Sequence, residues 1–142
     1  MITIATALKR KNLAPITVSS ATTVLNALRI MSDRNIGSLV VMDEGCYKGI
    51  VTERDYSRKV VLCGRNSDQT TVAEIMSTDL PVVKPEDTLA TCMQHMSDRN
   101  VRYLPVMESD RLCGIISMSD VVKETILAQQ ETIEQLESYI RS

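Results

Sequence analysis

Apolar positions along this chain switch between two spacings. Ile16–Thr17–Val18 is a short β-prone piece. From Ser19 to Asn35, Val24, Leu28 and Met31 recur at helical spacing behind several Ser/Thr cap candidates. The next stretch, IGSLVVMDEGCYKGIVT, is two β-rich runs around Asp43–Glu44–Gly45, which predicts a hairpin. A second helix opens near Glu53. The order is β-α-β-β-α, and it occurs again. Pro81–Val82–Val83 is the second short strand, and Leu89, Met93 and Met96 make the second helical stripe. VRYLPVMESDRLCGIIS is the second hairpin, turning near Ser109–Asp110, and a closing helix begins near Met118.

The recurrence extends to residue identity. MSDRN stands at Met31–Asn35 and again at Met96–Asn100, an offset of 65 residues, from Met31 to Met96. At that offset Val18 falls on Val83, Thr23 on Thr88, Leu39 on Leu104, Gly49–Ile50 on Gly114–Ile115 and Asp55 on Asp120. Two copies are too few for a solenoid. They predict a pair of repeats packed about a pseudo-twofold axis, a mixed α/β (α+β) fold. The first repeat, with a lead-in helix, is assigned to residues 1–62 and a linker to 63–74. The second repeat takes 75–128, and 129–142 form a C-terminal helical extension. TVAEIM (Thr71–Met76) resembles TIATAL (Thr3–Leu8), so each repeat has a short lead-in helix. Asp33, Arg34, Asp98 and Arg99 read as helix-end structure, with Asn35 and Asn100 satisfying backbone groups there. Val122, Ile126, Ile133, Leu136 and Ile140 form a partial heptad stripe, interrupted at Gln129, which suits a helix packing on a dimer partner.

Composition narrows the function classes. Hydrophobic residues make up 44% and charged residues 24% of 142, which excludes a disordered or fibrous chain. The formal charge of −2 gives no reason to expect nucleic-acid binding, and Lys9–Arg10–Lys11 reads as a solvated helix end. No apolar run approaches the roughly 20 residues that span a bilayer. The N-terminus has its basic residues after the apolar ones, the reverse of a signal peptide. These points predict a cytoplasmic protein with no membrane partner. Cys46, Cys63, Cys92 and Cys113 have no C-x-x-C spacing and read as reduced, mostly buried thiols, with no metal site. His95 lies on a helical stripe as a packing residue, and Met31, Met42, Met96 and Met107 read as core filler.

The chemistry-bearing stretches are GIVTERD (Gly49–Asp55) and GIISMSD (Gly114–Asp120). Each is a strand, then Thr or Ser, then Asp three residues on. Two readings stand side by side. Thr52/Asp55 and Ser117/Asp120 form capping boxes for the helices that follow. Alternatively, free N–H groups at a helix N-terminus favour phosphate, the Asp accepts from both hydroxyls of a ribose, and the hydroxyl side chain meets a phosphate oxygen. A face-to-face second copy would supply the second wall of such a cleft.

With RNIGSLVVMD and RNVRYLPVME before them, these motifs resemble a tandem pair of CBS domains, a Bateman module. TERDYSRKVV and QQETIEQLESYI resemble the small stand-alone bacterial members. The resemblance implies a non-catalytic regulatory module that binds an adenosine nucleotide (AMP, ADP, ATP or NAD(H)) between the repeats and senses energy or redox state. It implies no metal requirement, a homodimer, and a regulated protein partner that the sequence does not name. S-adenosylmethionine is disfavoured for want of phosphates. The alternative is a structural dimerisation module without a physiological ligand. A nucleotide hydrolase is disfavoured by the lack of a paired base and nucleophile.

By the same resemblance, Asp55 and Asp120 hold ribose, Thr52 and Ser117 occupy the hydroxyl position, and Ser119 adds a second hydroxyl. Asp55 is expected to work with Val82, Val83, Val101, Arg102 and Tyr103. Asp120 is expected to work with Thr17, Val18, Ile36, Gly37 and Ser38. Arg54 and Arg102 suit phosphate or pyrophosphate. The second cleft has Met118–Ser119 and Gly37 at the matching places, so the Asp55 cleft is expected to prefer the more anionic ligand. Arg58 and Lys59 face either the phosphates or solvent. Tyr103 stands where the family often has His.

Overall fold

The computed structural model describes residues 2–141. Helix α1 (Ile4–Lys11) precedes β1 (Thr17–Val18), α2 (Val24–Arg34), β2 (Ser38–Asp43) and β3 (Cys46–Thr52). A short α3 (Glu53–Tyr56) runs into a π-helical turn (Ser57–Val61), and a 3-10 turn (Val72–Glu74) leads into the second repeat. There α4 (Leu89–Arg99), β4 (Tyr103–Glu108), β5 (Arg111–Ser117) and α5 (Met118–Arg141) follow.

The repeat is legible in its local devices. Thr23 and Thr88 cap α2 and α4, their hydroxyls accepting from the Asn26 and Thr91 amides. MSDRN is the last turn of each helix. Asn35 (φ 53) and Asn100 (φ 52) take the left-handed conformation that ends it, and their amides donate back to the Met31/Ser32 and Met96/Ser97 carbonyls. Each hairpin closes through a two-residue loop with both residues at positive φ: Glu44 and Gly45 in one, Ser109 and Asp110 in the other. That is the turn whose twist matches the flanking strands. β1 pairs parallel with β2, and β2 antiparallel with β3. In the second repeat the matching strand is a single parallel bridge, Val83 to Val106.

Alternation along the hairpins makes two buried faces. Leu39, Val41 and Val51 point to the helices, as do their counterparts Leu104, Val106 and Ile116. Val40 and Ile50 are also fully buried but on the opposite face, and β3 lies against β5. The space between the repeats is thus walled by hairpins.

The lead-in segments are exchanged. Ile4 and Ala7 of α1, grouped by sequence order with the first repeat, sit in the core with Val83, Leu89, Cys92, Met96 and Val121 of the second. Val72 and Ile75 sit in the first repeat's core with Val18, Val24 and Met31. The bridges Thr3–Thr88 and Thr23–Thr71 fasten the exchange. An amphipathic segment carries an apolar face, not the address of the core it covers, and chain order alone does not supply one.

The cysteine expectation needs correcting. Only Cys92 is buried; Cys46, Cys63 and Cys113 are exposed free thiols. Cys46 and Cys113 lie on outward positions of the hairpins, and Cys63 lies in the turn after the π-helical segment. α5 is 24 residues, about 36 Å at 1.5 Å per residue. Its stripe residues Val122, Ile126, Ile133, Leu136 and Ile140 are all exposed.

Candidate nucleotide site between the repeats

Both candidate motifs fold as capping boxes. The Asp55 amide donates to Thr52 Oγ1 at 3.1 Å, and Asp55 Oδ2 accepts from the Thr52 amide at 2.9 Å and its hydroxyl at 3.1 Å. Asp120 repeats this with Ser117, at 3.1 Å and 2.9 Å. The first amide of each helix donates to a backbone carbonyl just before the hairpin, Glu53 to Gly37 and Met118 to Arg102.

A cap does not exhaust a carboxylate, which has about four acceptor positions. Asp55 Oδ1 faces Lys59 Nζ at 3.2 Å, so two bonds on Oδ2 and one ion pair leave it capacity. Asp55 opens onto a cleft of about 220 Å³ lined by Thr52, Glu53, Arg54, Val101, Arg102 and Tyr103, with Gly37, Ile50, Ser77 and Leu80 completing it. The walls come from both repeats. Arg54 Nη1 donates to the Asn100 carbonyl at 2.9 Å, tying the first motif to the end of α4. The cleft therefore joins apolar side chains, the hydroxyls of Thr52, Ser77 and Tyr103, the carboxylates of Glu53 and Asp55, and two guanidinium groups. That set suits the parts of an adenosine nucleotide: base, ribose and phosphates.

The predicted partners divide. Val101, Arg102, Tyr103, Thr52, Arg54 and Asp55 share one cleft. Val83 is in the second core, and Val82 is exposed and not among the lining residues. Ser77 and Leu80, from the aperiodic segment before them, line the cleft instead. Gly37, grouped with Asp120 by its sequence position, lines the Asp55 cleft. A Cβ there would stand 2.7 Å from the Tyr103 hydroxyl. Gly49 likewise makes room for a backbone, since its Cβ would stand 2.6 Å from the Ser77 carbonyl oxygen. Of the remaining residues grouped with Asp120, Val18 and Ile36 pack with the first core, Thr17 and Ser119 are exposed, and Ser38 opens β2.

The basic end of α1 is not a solvated patch. Arg10 Nε donates to Glu124 Oε1 at 2.7 Å, and Lys11 Nζ reaches Asp120 Oδ2 at 2.9 Å and the Ile115 carbonyl at 3.2 Å. All three acceptors belong to the second repeat, which α1 covers. Burial works against the charged form of Asp120. The hydrogen bonds from Ser117 and Lys11, with the Lys11 charge, outweigh it and hold the carboxyl below its ordinary pKa. Lys59 turns inward to Asp55 and the Ile75 carbonyl, while Arg58 is exposed. The Lys59 contact was readable from its i,i+4 spacing to Asp55. The Lys11 contact, 109 residues from Asp120, had no local signal.

The family model for the CBS domain matches residues 10–62 and 72–126. The chain belongs to the CBS-domain family. Similar proteins include CBS domain-containing protein CBSX3, mitochondrial, of Arabidopsis thaliana, 37% identical over 84% of this chain and 60% of that protein. CBS domain-containing protein YhcV of Bacillus subtilis is 34% identical over 74% of each. The CBS pair therefore spans little more than half the length of the plant relative. A solved protein with CBS domains from Burkholderia ambifaria superposes with TM-score 0.83 at 39% identity, over 89% of this chain and 96% of that one. A CBS-domain containing protein from Agrobacterium tumefaciens gives 0.81 at 33%, over 87% and 98%. CBS-pair proteins are regulatory, signal-transduction-type proteins, generally non-catalytic. Among the described residues, no group of three or more His, Cys, Asp or Glu is placed to hold a metal. No described helix is long and apolar enough to cross a membrane.

Proposed function

We propose that this CBS pair is a non-catalytic sensor that binds an adenosine nucleotide, AMP, ADP, ATP or NAD(H), in the cleft at Asp55. The observation that carries the reading is the joining of the Thr52–Asp55 helix start to Val101–Tyr103 of the other repeat, with Arg54 and Arg102 both in the lining. Asp55 takes the ribose hydroxyls, Thr52 meets a phosphate oxygen, and the two arginines meet further phosphates. Ile50, Leu80 and Val101 cover the base. No residue here needs to move a proton or attack the ligand. The ligand acts by binding one relative arrangement of the repeats better than another.

The functional unit in this reading is a homodimer formed through helices. The exposed stripe of α5 borders an apolar groove between α4 and α5 that holds Leu89, Met93, Ala128 and Ile133. A second copy presents the same stripe, and a two-fold contact buries both. The hexameric CBS-CP12 protein of bloom-forming cyanobacteria, 28% identical with TM-score 0.71, is an assembled relative.

The test is a thermal-shift series with AMP, ADP, ATP, NAD⁺, NADH and S-adenosylmethionine. A ligand at 100 times its dissociation constant stabilises by about 2.7 kcal/mol, a shift of several degrees at this size. Asp55→Ala also weakens a helix cap, so the ligand-induced shift is compared within each variant. Arg102→Ala leaves the cap intact and should selectively weaken the phosphate-bearing ligands. The second reading, a dimerisation module without a ligand, is favoured by capping boxes that are already satisfied. It predicts no shift with any nucleotide.

A further inference from the structure

The start of α3 carries a charge that the matching helix start does without. The counterpart of Glu53 is Met118. Both amides make the same bond, Glu53 to the Gly37 carbonyl and Met118 to the Arg102 carbonyl. Both helix starts are closed by their own capping pair, Thr52 with Asp55 and Ser117 with Asp120. The local fold therefore has no use for the Glu53 carboxylate. Among the described residues no ion pair engages it. It lines the cleft instead, together with Arg54, Arg102 and Tyr103. Its Oε1 stands 3.2 Å from the place a Gly37 Cβ would take, and the Tyr103 hydroxyl stands 2.7 Å from the same place. The missing side chain at Gly37 leaves room for both.

The charges facing that space nearly cancel. Lys59 is spent on Asp55, at 3.2 Å, and on the Ile75 carbonyl, at 2.8 Å, so Asp55 brings its own counter-ion. Arg54 and Arg102 remain, against Glu53. Two guanidinium groups alone would suit a chain of phosphates. With Glu53 in the same space, the surplus is a single positive charge. One phosphate dianion already exceeds it. Every further phosphate adds negative charge beside an unpaired carboxylate, and like charges brought together are costly. The cleft is also small. Its volume of about 220 Å³ lies below the roughly 300 Å³ at the low end of ligand pockets.

We propose that Glu53 is a specificity-determining residue, which makes the Asp55 cleft select a nucleoside monophosphate over the di- and triphosphate. The carboxylate works by exclusion, as an unpaired charge set against the wrong ligand. It leaves the contacts to base and ribose unchanged and acts on charge beyond the first phosphate. This inference rests on the nucleotide reading of the cleft and narrows it, among AMP, ADP and ATP, to AMP.

The experiment is calorimetric titration of wild type, Glu53→Gln and Glu53→Asp with AMP, ADP and ATP, without divalent cations. Wild type should bind AMP about tenfold more tightly than ATP, with ADP between them. Glu53→Gln keeps the size and removes the charge. It should bring the AMP-to-ATP ratio close to one by tightening ATP, and leave AMP within about twofold of wild type. Glu53→Asp keeps the charge and should keep most of the preference. Exclusion of ATP by size alone would survive the Gln change. A wild type that binds ATP as tightly as AMP, a ratio that Glu53→Gln leaves unchanged, or a Gln variant that loses AMP as well overturns the assignment and leaves the cleft reading intact. No nucleotide bound by wild type or by either variant overturns both.

Discussion

Replacing Ile4 by Ala tests the exchange of lead-in segments, on which the site geometry depends. Ile4 is fully buried in the second repeat's core. The substitution removes three carbon groups at about 0.8 kcal/mol each, about 2.4 kcal/mol of transfer free energy. Incomplete collapse around the cavity brings the loss to about 3 kcal/mol, inside the 2–5 kcal/mol range of Ile→Ala changes in cores. At roughly 3 °C per kcal/mol for a chain of this size, the midpoint should fall by about 10 °C. Two observables are needed, urea unfolding for the magnitude and hydrogen exchange for the location. Exchange should accelerate in α4 and β4 of the second repeat and leave α2 unaffected. Ile75→Ala is the mirror experiment, loosening α2 and β2 instead. A loss below 1 kcal/mol, or loosening of α2 by the Ile4 change, would refute the exchange.

Asn35→Ala and Asn100→Ala should each lose about 1 kcal/mol, because Ala is strained at positive φ, whereas Gly at either position should be near neutral; urea midpoints that are equal for Ala and Gly would contradict this. A thiol reagent at pH 8 should modify Cys46, Cys63 and Cys113 before unfolding. Cys92, whose thiol is pushed by burial up to about 11, should react only afterwards. Burial also raises the Cys113 thiol, so it should be the slowest of the exposed three. The folded pKa of Asp120 lies below its unfolded value, so its contribution to stability is present above the unfolded value. It is lost as pH falls through the folded one, and Asp120→Asn should flatten that part of the acid-unfolding curve, read by circular dichroism.

Much of this was legible from local pattern. The helical stripes, the two-residue hairpin turns, the Asn helix ends and the Thr/Ser–Asp capping boxes depend on neighbours within four residues, and each is written twice. The doubling predicted the pseudo-symmetric pair, and the family resemblance placed Arg102 and Tyr103 opposite Asp55. Other features depend on long-range packing, which no local pattern encodes. Ser77 and Leu80 line the cleft because the Ser77 backbone pairs with Ile50 over Gly49. Gly37 joins the Asp55 side because the Tyr103 hydroxyl comes down over it. Outward positions on the hairpins put Cys46 and Cys113 at the surface. Lys11 meets Asp120 only because α1 covers the second core instead of the first. By itself the sequence determined the repeated unit, its elements and the residue types of the cleft, since these follow from spacing and local hydrogen bonding. The tertiary structure alone decided which core each lead-in covers and which cation faces each carboxylate, because apolar burial is non-directional and the choice between two similar cores is made only when the whole chain packs.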